Sequence, residues 1–344
     1  MSRLQPKLGV RMPPCEPLDR VADAILLAEQ LGFDSVWLPD SQLIWRDTFM
    51  ALALGAVRTR RISLATAVTN LVTRHPSVIA SAARSLQELA PGRVKLGVGV
   101  GWSAPGMAGM RRIRQAAFME QIGHLRTLLA GGSVTLGEVE AVLRDPVGPC
   151  PIYIAAQGPR TLRFAGEAGD GVITAQALAP GLLEHKLQHV WEGAKSAGRR
   201  RDEIDVVAWA PAYLSENLES DLRLFKPAVR NFLPFQPAEE LAFAGIHETL
   251  TGPVPPGFEA DGLHISDWKV AIEVCDTIVS DDLARRWVEA FAFVGSAETL
   301  REKLDVLARR GVATLVVTPL VGDNSQALPT QMMRDLSAAL DLPV

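Results

Sequence analysis

The chain has 344 residues, 48% of them hydrophobic and 22% charged, the balance of a folded, water-soluble enzyme. A formal net charge of −4 leaves no basic footprint, which argues against nucleic acid as a partner. Cys15, Cys150 and Cys275 lie too far apart in sequence for a C-x-x-C pair, and no apolar run reaches the roughly 18 residues of a membrane span, so a cytosolic protein with no membrane association is expected.

In chain order, short apolar runs alternate with stretches of helical periodicity, the pattern of βα units around a parallel sheet. The first strand is expected at 7–11 and a helix at 17–31, stopped by Gly32. A strand at 35–38, a helix at 47–57 and a strand at 62–66 follow, and Pro76 opens a helix over 76–89. The fourth strand, 94–98, precedes a helix over 112–129. Further strands are read at 152–155, 172–174, 206–210 and 314–317, the last preceded by a helix at 297–310. Eight repeats in a chain of this length predict one closed (β/α)8 TIM barrel spanning 1–344, α/β in class. Two segments exceed ordinary loop length: 131–149 reads as a hairpin insertion, and 227–280 as a lid or substrate wall.

A barrel of this kind carries its chemistry at the carboxyl ends of its strands. After the second strand stands Leu38-Pro39-Asp40-Ser41, where Asp40 either accepts hydrogen bonds from a ligand or caps the next helix. After the third comes Thr66-Ala67-Val68-Thr69-Asn70, whose small and polar residues fit a tight approach to a planar ligand; His75, beside Pro76, reads as a structural or capping histidine. After the fourth, Gly99-Val100-Gly101-Trp102-Ser103-Ala104 matches a loose dinucleotide pattern but continues into Pro105-Gly106, where a phosphate-binding helix should start. Its better reading is backbone at Gly99 and Gly101 left bare for a flat ring. Gln157-Gly158-Pro159, at a helix N-terminus, forms a ready phosphate site to which Arg160 could add charge. Asp170 reads as a turn-holding residue. His185 and His189 have the spacing of a metal pair, but no third ligand is apparent and Glu184, Lys186 and Gln188 mark a solvated face, so no metal is expected. His247-Glu248 lacks the second histidine of H-E-x-x-H, and no G-x-S-x-G elbow supports a hydrolase.

Together these blocks resemble the luciferase-like family, within it the branch that uses the deazaflavin coenzyme F420, the methylenetetrahydromethanopterin reductase and F420-dependent glucose-6-phosphate dehydrogenase types. Leu38-Pro39-Asp40-Ser41 and Thr66–Asn70 with Thr73-Arg74-His75-Pro76 carry the likeness, with Pro91–Gly99, Ile152–Pro159 and Ala165–Gly171; Leu283–Trp287 adds a weaker block. The resemblance implies that Asp40 contacts coenzyme F420, that Ala67–Val68 is a non-proline cis peptide under the ring, that Thr69 bonds the ring edge, and that Gln157-Gly158-Pro159 takes the phosphate. It also implies a homodimer paired through early helices. The departures are Ser41, where alcohol- and sugar-oxidising relatives carry histidine, and Trp102, where the sugar-phosphate enzyme carries glutamate. Alcohol oxidation needs a base for the hydroxyl proton, and serine and tryptophan serve poorly. Arg286 matches that enzyme's arginine, but its lysine positions fall on Leu178 and on no basic residue near 257–266.

The expectation is therefore a reductase passing hydride from the deazaflavin to a C=C or C=N bond of a small, largely apolar substrate. Ser41, Trp45 and Trp102 would form its substrate pocket, with Gln157 and Gln176 among the polar contacts. The alternatives are an FMN-dependent monooxygenase and a (deaza)flavin-binding protein without turnover.

Overall fold

The computed structural model describes residues 5–148, 150–250, 254–258, 265–322 and 327–343. Eight parallel strands close a ring: β1 (Lys7–Arg11), β2 (Ser35–Leu38), β3 (Ser63–Thr66), β4 (Val94–Gly99), β5 (Ile152–Ala155), β6 (Gly171–Ala175), β7 (Asp205–Leu214) and β8 (Thr314–Pro319). Lys7 opposite Thr314 joins the first strand to the last, and Asp205 opposite Gly171 completes the circuit. Strands buried on both faces read as continuous apolar runs, which is why short stretches such as Ser35-Val36-Trp37-Leu38 are fully covered.

Side chains alternate between two packed layers. Leu8, Val10, Val36, Val172, Val206 and Leu315 meet the surrounding helices. Trp37, Ala65, Tyr153, Ile173, Val207 and Val316 fill the barrel interior. Local chemistry sets the helix starts: Asp47 accepts from Met50 N to cap Thr48–Arg58, and His75 accepts from Ser77 N to cap Pro76–Leu89. Gly32, at φ +82°, ends Leu18–Gln30 where any Cβ would lie 2.5 Å from the Pro343 carbonyl oxygen. Asp170 receives Arg126 and the Ile152 amide, holding the turn into β6.

The hairpin expected at 131–149 is formed by Ser133–Leu136 and Val139–Val142; residue 149 lies outside the described residues. The boundary expected at 227 is corrected. Helix Leu218–Phe232 runs straight through Pro227, because Leu222, Phe225 and Val229 bury a continuous face that outweighs one lost hydrogen bond. Within the rest of 227–280 stand helices Ala238–Ala242 and Trp268–Asp276; 251–253 and 259–264 lie outside the described residues. β4, β7 and β8 each run further than their apolar runs indicate, β7 because Ala212–Leu214 pair with an extra strand, Phe293–Gly295. The helix expected from 112 begins at Gln115, after a short helix over Ser103–Met107. No helix among the described residues is long and apolar enough to cross a membrane.

Candidate active site

At the carboxyl mouth of the barrel lies a cavity of about 320 Å³. Trp37, Ile173, Trp209 and Val316 rise into it from the strands, and Phe232, Ile265 and Trp268 close it from the long segment after β7. A smaller cleft of about 210 Å³ lies beside it, lined by Asp40, Ser41, Asn70, Gly101, Trp102 and Ser103. Arg11, Trp45, Ala67 and Val68 belong to both walls, so the two spaces adjoin.

The cleft's floor is an ionic cluster. Asp40, 5% exposed, accepts from Thr69 Oγ1 at 2.7 Å and from Arg74 Nε and Nη2 at 2.7 and 2.9 Å. Arg74 also donates to Asp47 Oδ2 at 2.7 Å and lies over the Phe49 ring. Burial works against the Arg74 charge, yet hydrogen bonds and charges from Asp40 and Asp47 hold its pKa above the usual guanidinium value. Of the two readings open for Asp40, helix capping falls to Asp47 instead.

The Ala67–Val68 peptide bond is cis. Gly99 and Gly101 are not left bare for a ring, as read from the sequence. A Cβ on Gly99 would sit 2.9 Å from Val68 Cγ2, and one on Gly101 2.7 Å from Pro105 Cγ, so the chain's own side chains occupy those faces. Gly101 also takes a left-handed φ of +78° that favours glycine. Ser41 shares a 2.6 Å hydroxyl hydrogen bond with Ser103. Trp45 is buried, whereas Trp102 is 48% exposed, packed edge-on to Phe235 with the Arg112 guanidinium 3.5 Å from its ring centre.

Gly158 is the N-cap of helix Pro159–Ala168 and offers no side chain to its first amides. A Cβ added to Gly158 would meet nothing within 4 Å, so a ligand has room to approach those amides. Gln157 reaches the main cavity wall; its Oε1 accepts from Lys186 Nζ at 2.5 Å. Lys186 is 1% exposed and also pairs with Glu240 at 2.8 Å. Burial lowers its pKa while Glu240 opposes the shift. Of the face read as solvated, Glu184, His185 and Gln188 are exposed and Lys186 alone departs: with Leu183, Leu187 and Val190 it belongs to the buried stripe of helix Leu182–Ser196, and Glu240 arrives from a distant segment to meet the ammonium. His185 packs against Phe243, and His189 lies beside Arg163 and Glu192.

The structure brings Asp40, Ser41, Trp45, Ala67, Val68, Asn70, Gly101, Trp102 and Gln157 to the walls of these adjoining spaces. Thr69 and Gly99 stand behind the walls, as Asp40's partner and under Val68. Gly158 and Pro159 lie at the exposed helix start, and Gln176 lies apart, buried with φ +50° and accepting from Gln236 Nε2 at 3.1 Å. Sequence reasoning passed over Arg11, Trp209 and Trp268. Arg11 ends the first strand, so the rule applied to the other strand ends marks it too.

A closed βα barrel with an apolar cavity at its strand ends, flanked by a fixed ionic cluster, defines a small-molecule enzyme of the barrel class. The sequence profile of the luciferase-like monooxygenase family matches residues 2–314, and the chain belongs to that family. It is 31% identical over 332 residues to a 5,10-methylenetetrahydromethanopterin reductase of Methanolobus tindarius, covering 92% of this chain and 95% of that one. It is 40% identical over 207 residues to an F420-dependent glucose-6-phosphate dehydrogenase of Nakamurella multipartita, covering 54% of this chain and 61% of that one. The coenzyme F420 dependent tetrahydromethanopterin reductase of Methanopyrus kandleri superposes with a TM-score of 0.76 at 23% identity, over 98% of this chain and 99% of that one, a likeness of fold.

Proposed function

We propose that the chain is an F420-dependent oxidoreductase working as a reductase on a C=C or C=N bond of a small, largely apolar substrate. The observation that carries this reading is the chemistry of the walls. Among the described residues lining the two spaces, Asp40 is the only carboxylate, no histidine or lysine lines either, and Asp40 is held by Arg74 and Thr69. Oxidation of an alcohol needs a base, and these walls offer no unengaged one; addition of hydride to an unsaturated bond needs none. The relatives named above for their use of F420 supply the cofactor reading.

The residues present fit such a cofactor. Asp40, Asn70 and the Ala67–Val68 bulge line the cleft that would hold a planar ring, and the open amides after Gly158 would take its phosphate. When bound, the deazaflavin supplies a hydride at one ring carbon. The protein's part is to exclude water with Trp37, Trp209 and Trp268 and to fix the acceptor within reach, which is the larger share of catalysis in such a site.

Titration with coenzyme F420 and, separately, FMN tests the reading through tryptophan fluorescence, since four of the seven tryptophans line the main cavity. Tight F420 binding with weak FMN binding is expected. The reverse order moves the chain to the flavin monooxygenases, and binding of neither overturns the reading.

A further inference from the structure

Arg11 is the only cationic side chain among the described residues lining the main cavity, and no described residue neutralises it. Along β1, Leu8 and Val10 pack outward into the helical layer, so Gly9 and Arg11 face the barrel axis. The guanidinium carbon lies 5.8 Å from the centre of the Trp45 ring, and Arg11 shares the cavity lining with Trp37, Val316 and Trp268. Several other inward cations are matched by carboxylates, Arg74 by Asp40 and Asp47, Lys186 by Glu240 and Lys226 by Asp276 and Asp281, whereas Lys303 donates to the carbonyls of Ala292 and Val294. Among the described residues only burial acts on Arg11, and it lowers its pKa to about 10, which leaves it charged at neutral pH. A charge set among apolar side chains, with no counter-ion among the described residues, favours a ligand that brings the opposite charge.

Further donors of the wall point the same way, beside the Asn231 amide and the Thr318 hydroxyl, which can accept as well as donate. The indole nitrogens of Trp209 and Trp268 are buried with no acceptor among the described residues. Gln157 has its carbonyl oxygen engaged by Lys186, which leaves its amide hydrogens as donors. No carboxylate of the described residues lines this cavity. Among the described residues the space thus offers one cation and mostly donors, a lining that suits a ligand bringing acceptors and negative charge.

We propose that Arg11 binds a carboxylate of the substrate, and that the acceptor is an α,β-unsaturated carboxylic acid with a small apolar body. This rests on the reductase reading above. A bound reduced deazaflavin would supply hydride, carrying two electrons, to the β-carbon as the C=C π bond breaks. The displaced electron pair would move onto the carboxylate oxygens facing Arg11, a proton from water would add at the α-carbon, and the hydroxide left would take the ring proton released on oxidation of the deazaflavin. The acid is reduced to its saturated form and the deazaflavin is oxidised. The guanidinium strengthens its hold as negative charge builds on those oxygens, which makes it a catalytic as well as a binding residue.

The probes are trans-cinnamate and the neutral cinnamamide, which share shape and differ in charge. Calorimetric titration is run on the full chain, with and without F420, for the unaltered protein, Arg11→Met and Arg11→Lys. Cinnamate is expected to bind at least about tenfold more tightly than cinnamamide, a difference of about 1.4 kcal/mol. Arg11→Met should erase that preference while leaving cinnamamide affinity within about twofold, which also reports an intact pocket; Arg11→Lys should keep part of it. Equal affinities in the unaltered protein, absence of binding by both probes, or a preference that survives Arg11→Met would overturn the proposal. So would a tenfold loss of F420 affinity in Arg11→Met with cinnamate unaffected, which would assign Arg11 to the cofactor. Failure of the reductase reading is seen separately, as Arg11-dependent cinnamate binding in a protein that neither binds F420 nor reduces the acid with it.

Discussion

Replacing Lys186 with methionine removes an ammonium that is 1% exposed and leaves Glu240, itself 7% exposed, without its partner. Breaking a buried ion pair from one side costs about 3–5 kcal/mol, because the surviving charge keeps its desolvation penalty. Unfolding entropy of about 2.1 cal/mol/K per residue gives about 0.7 kcal/mol per degree for this chain, so Tm should fall by about 4–7 °C. Lys186→Met/Glu240→Met removes both charges and should recover most of that loss. Gln157, however, loses its 2.5 Å anchor in either variant. F420 affinity, read by tryptophan fluorescence, should therefore fall in the single and double variants alike, while circular dichroism melts recover only in the double. A single variant that melts within about 1 °C of the unaltered protein would refute the reasoning, since the pair would then not be the desolvated link its burial indicates.

Burial lowers Lys303 to about 8 against an ordinary 10.5, with Glu289 opposing, while its ammonium donates to the carbonyls of Ala292 and Val294. Between pH 8 and 10.5 the unfolded chain holds more protons than the folded one, so this group makes stability rise with pH across that window; Lys303→Met should flatten the rise in a series of melts. Gly97→Ala would set a Cβ 2.0 Å from the Thr66 carbonyl oxygen, in a strand whose Gly97 oxygen is already bonded to Thr66 Oγ1, and should cost more than about 4 kcal/mol, seen as loss of soluble protein. Gly158→Ala is the contrasting case: its Cβ meets nothing within 4 Å, so Tm should hold while F420 affinity drops about tenfold. An unchanged affinity would remove the phosphate from that turn.

Much of the barrel could be read from the chain because each strand is short, apolar on both faces and bounded by turn residues. Looking only at strand ends then located Asp40, Ser41, Asn70 and Gln157. What escaped depends on pairing that no local pattern carries. Trp209 faces the cavity because β7 turns every second residue inward, and Trp268 arrives from a segment whose helices depend on packing against Leu218–Phe232. Lys186 looked solvated because its partner, Glu240, lies 54 positions away and no periodicity links the two. Gly99 and Gly101 have the residue type that a bare ring floor would need, yet Val68, Pro105 and Asn70 fill the space. Glycine marks a close approach, and the sequence alone does not say by whom.

The cluster of Asp40, Asp47, Thr69 and Arg74 draws on one continuous stretch of the barrel, from the end of β2 to the loop before the helix that opens at Pro76. Arg11 meets Val316 in one wall only once β1 has paired with β8, with Lys7 opposite Thr314, a closure across about 300 residues. Contacts between chain neighbours form sooner than contacts between chain ends. Time therefore separates the two halves of the pocket as the chain folds, and pulse-labelled hydrogen exchange should protect the amides of β2 and β3 before those of β8. A newly made chain would have the ionic floor of its cleft in place while the Arg11 wall of the main cavity was still open.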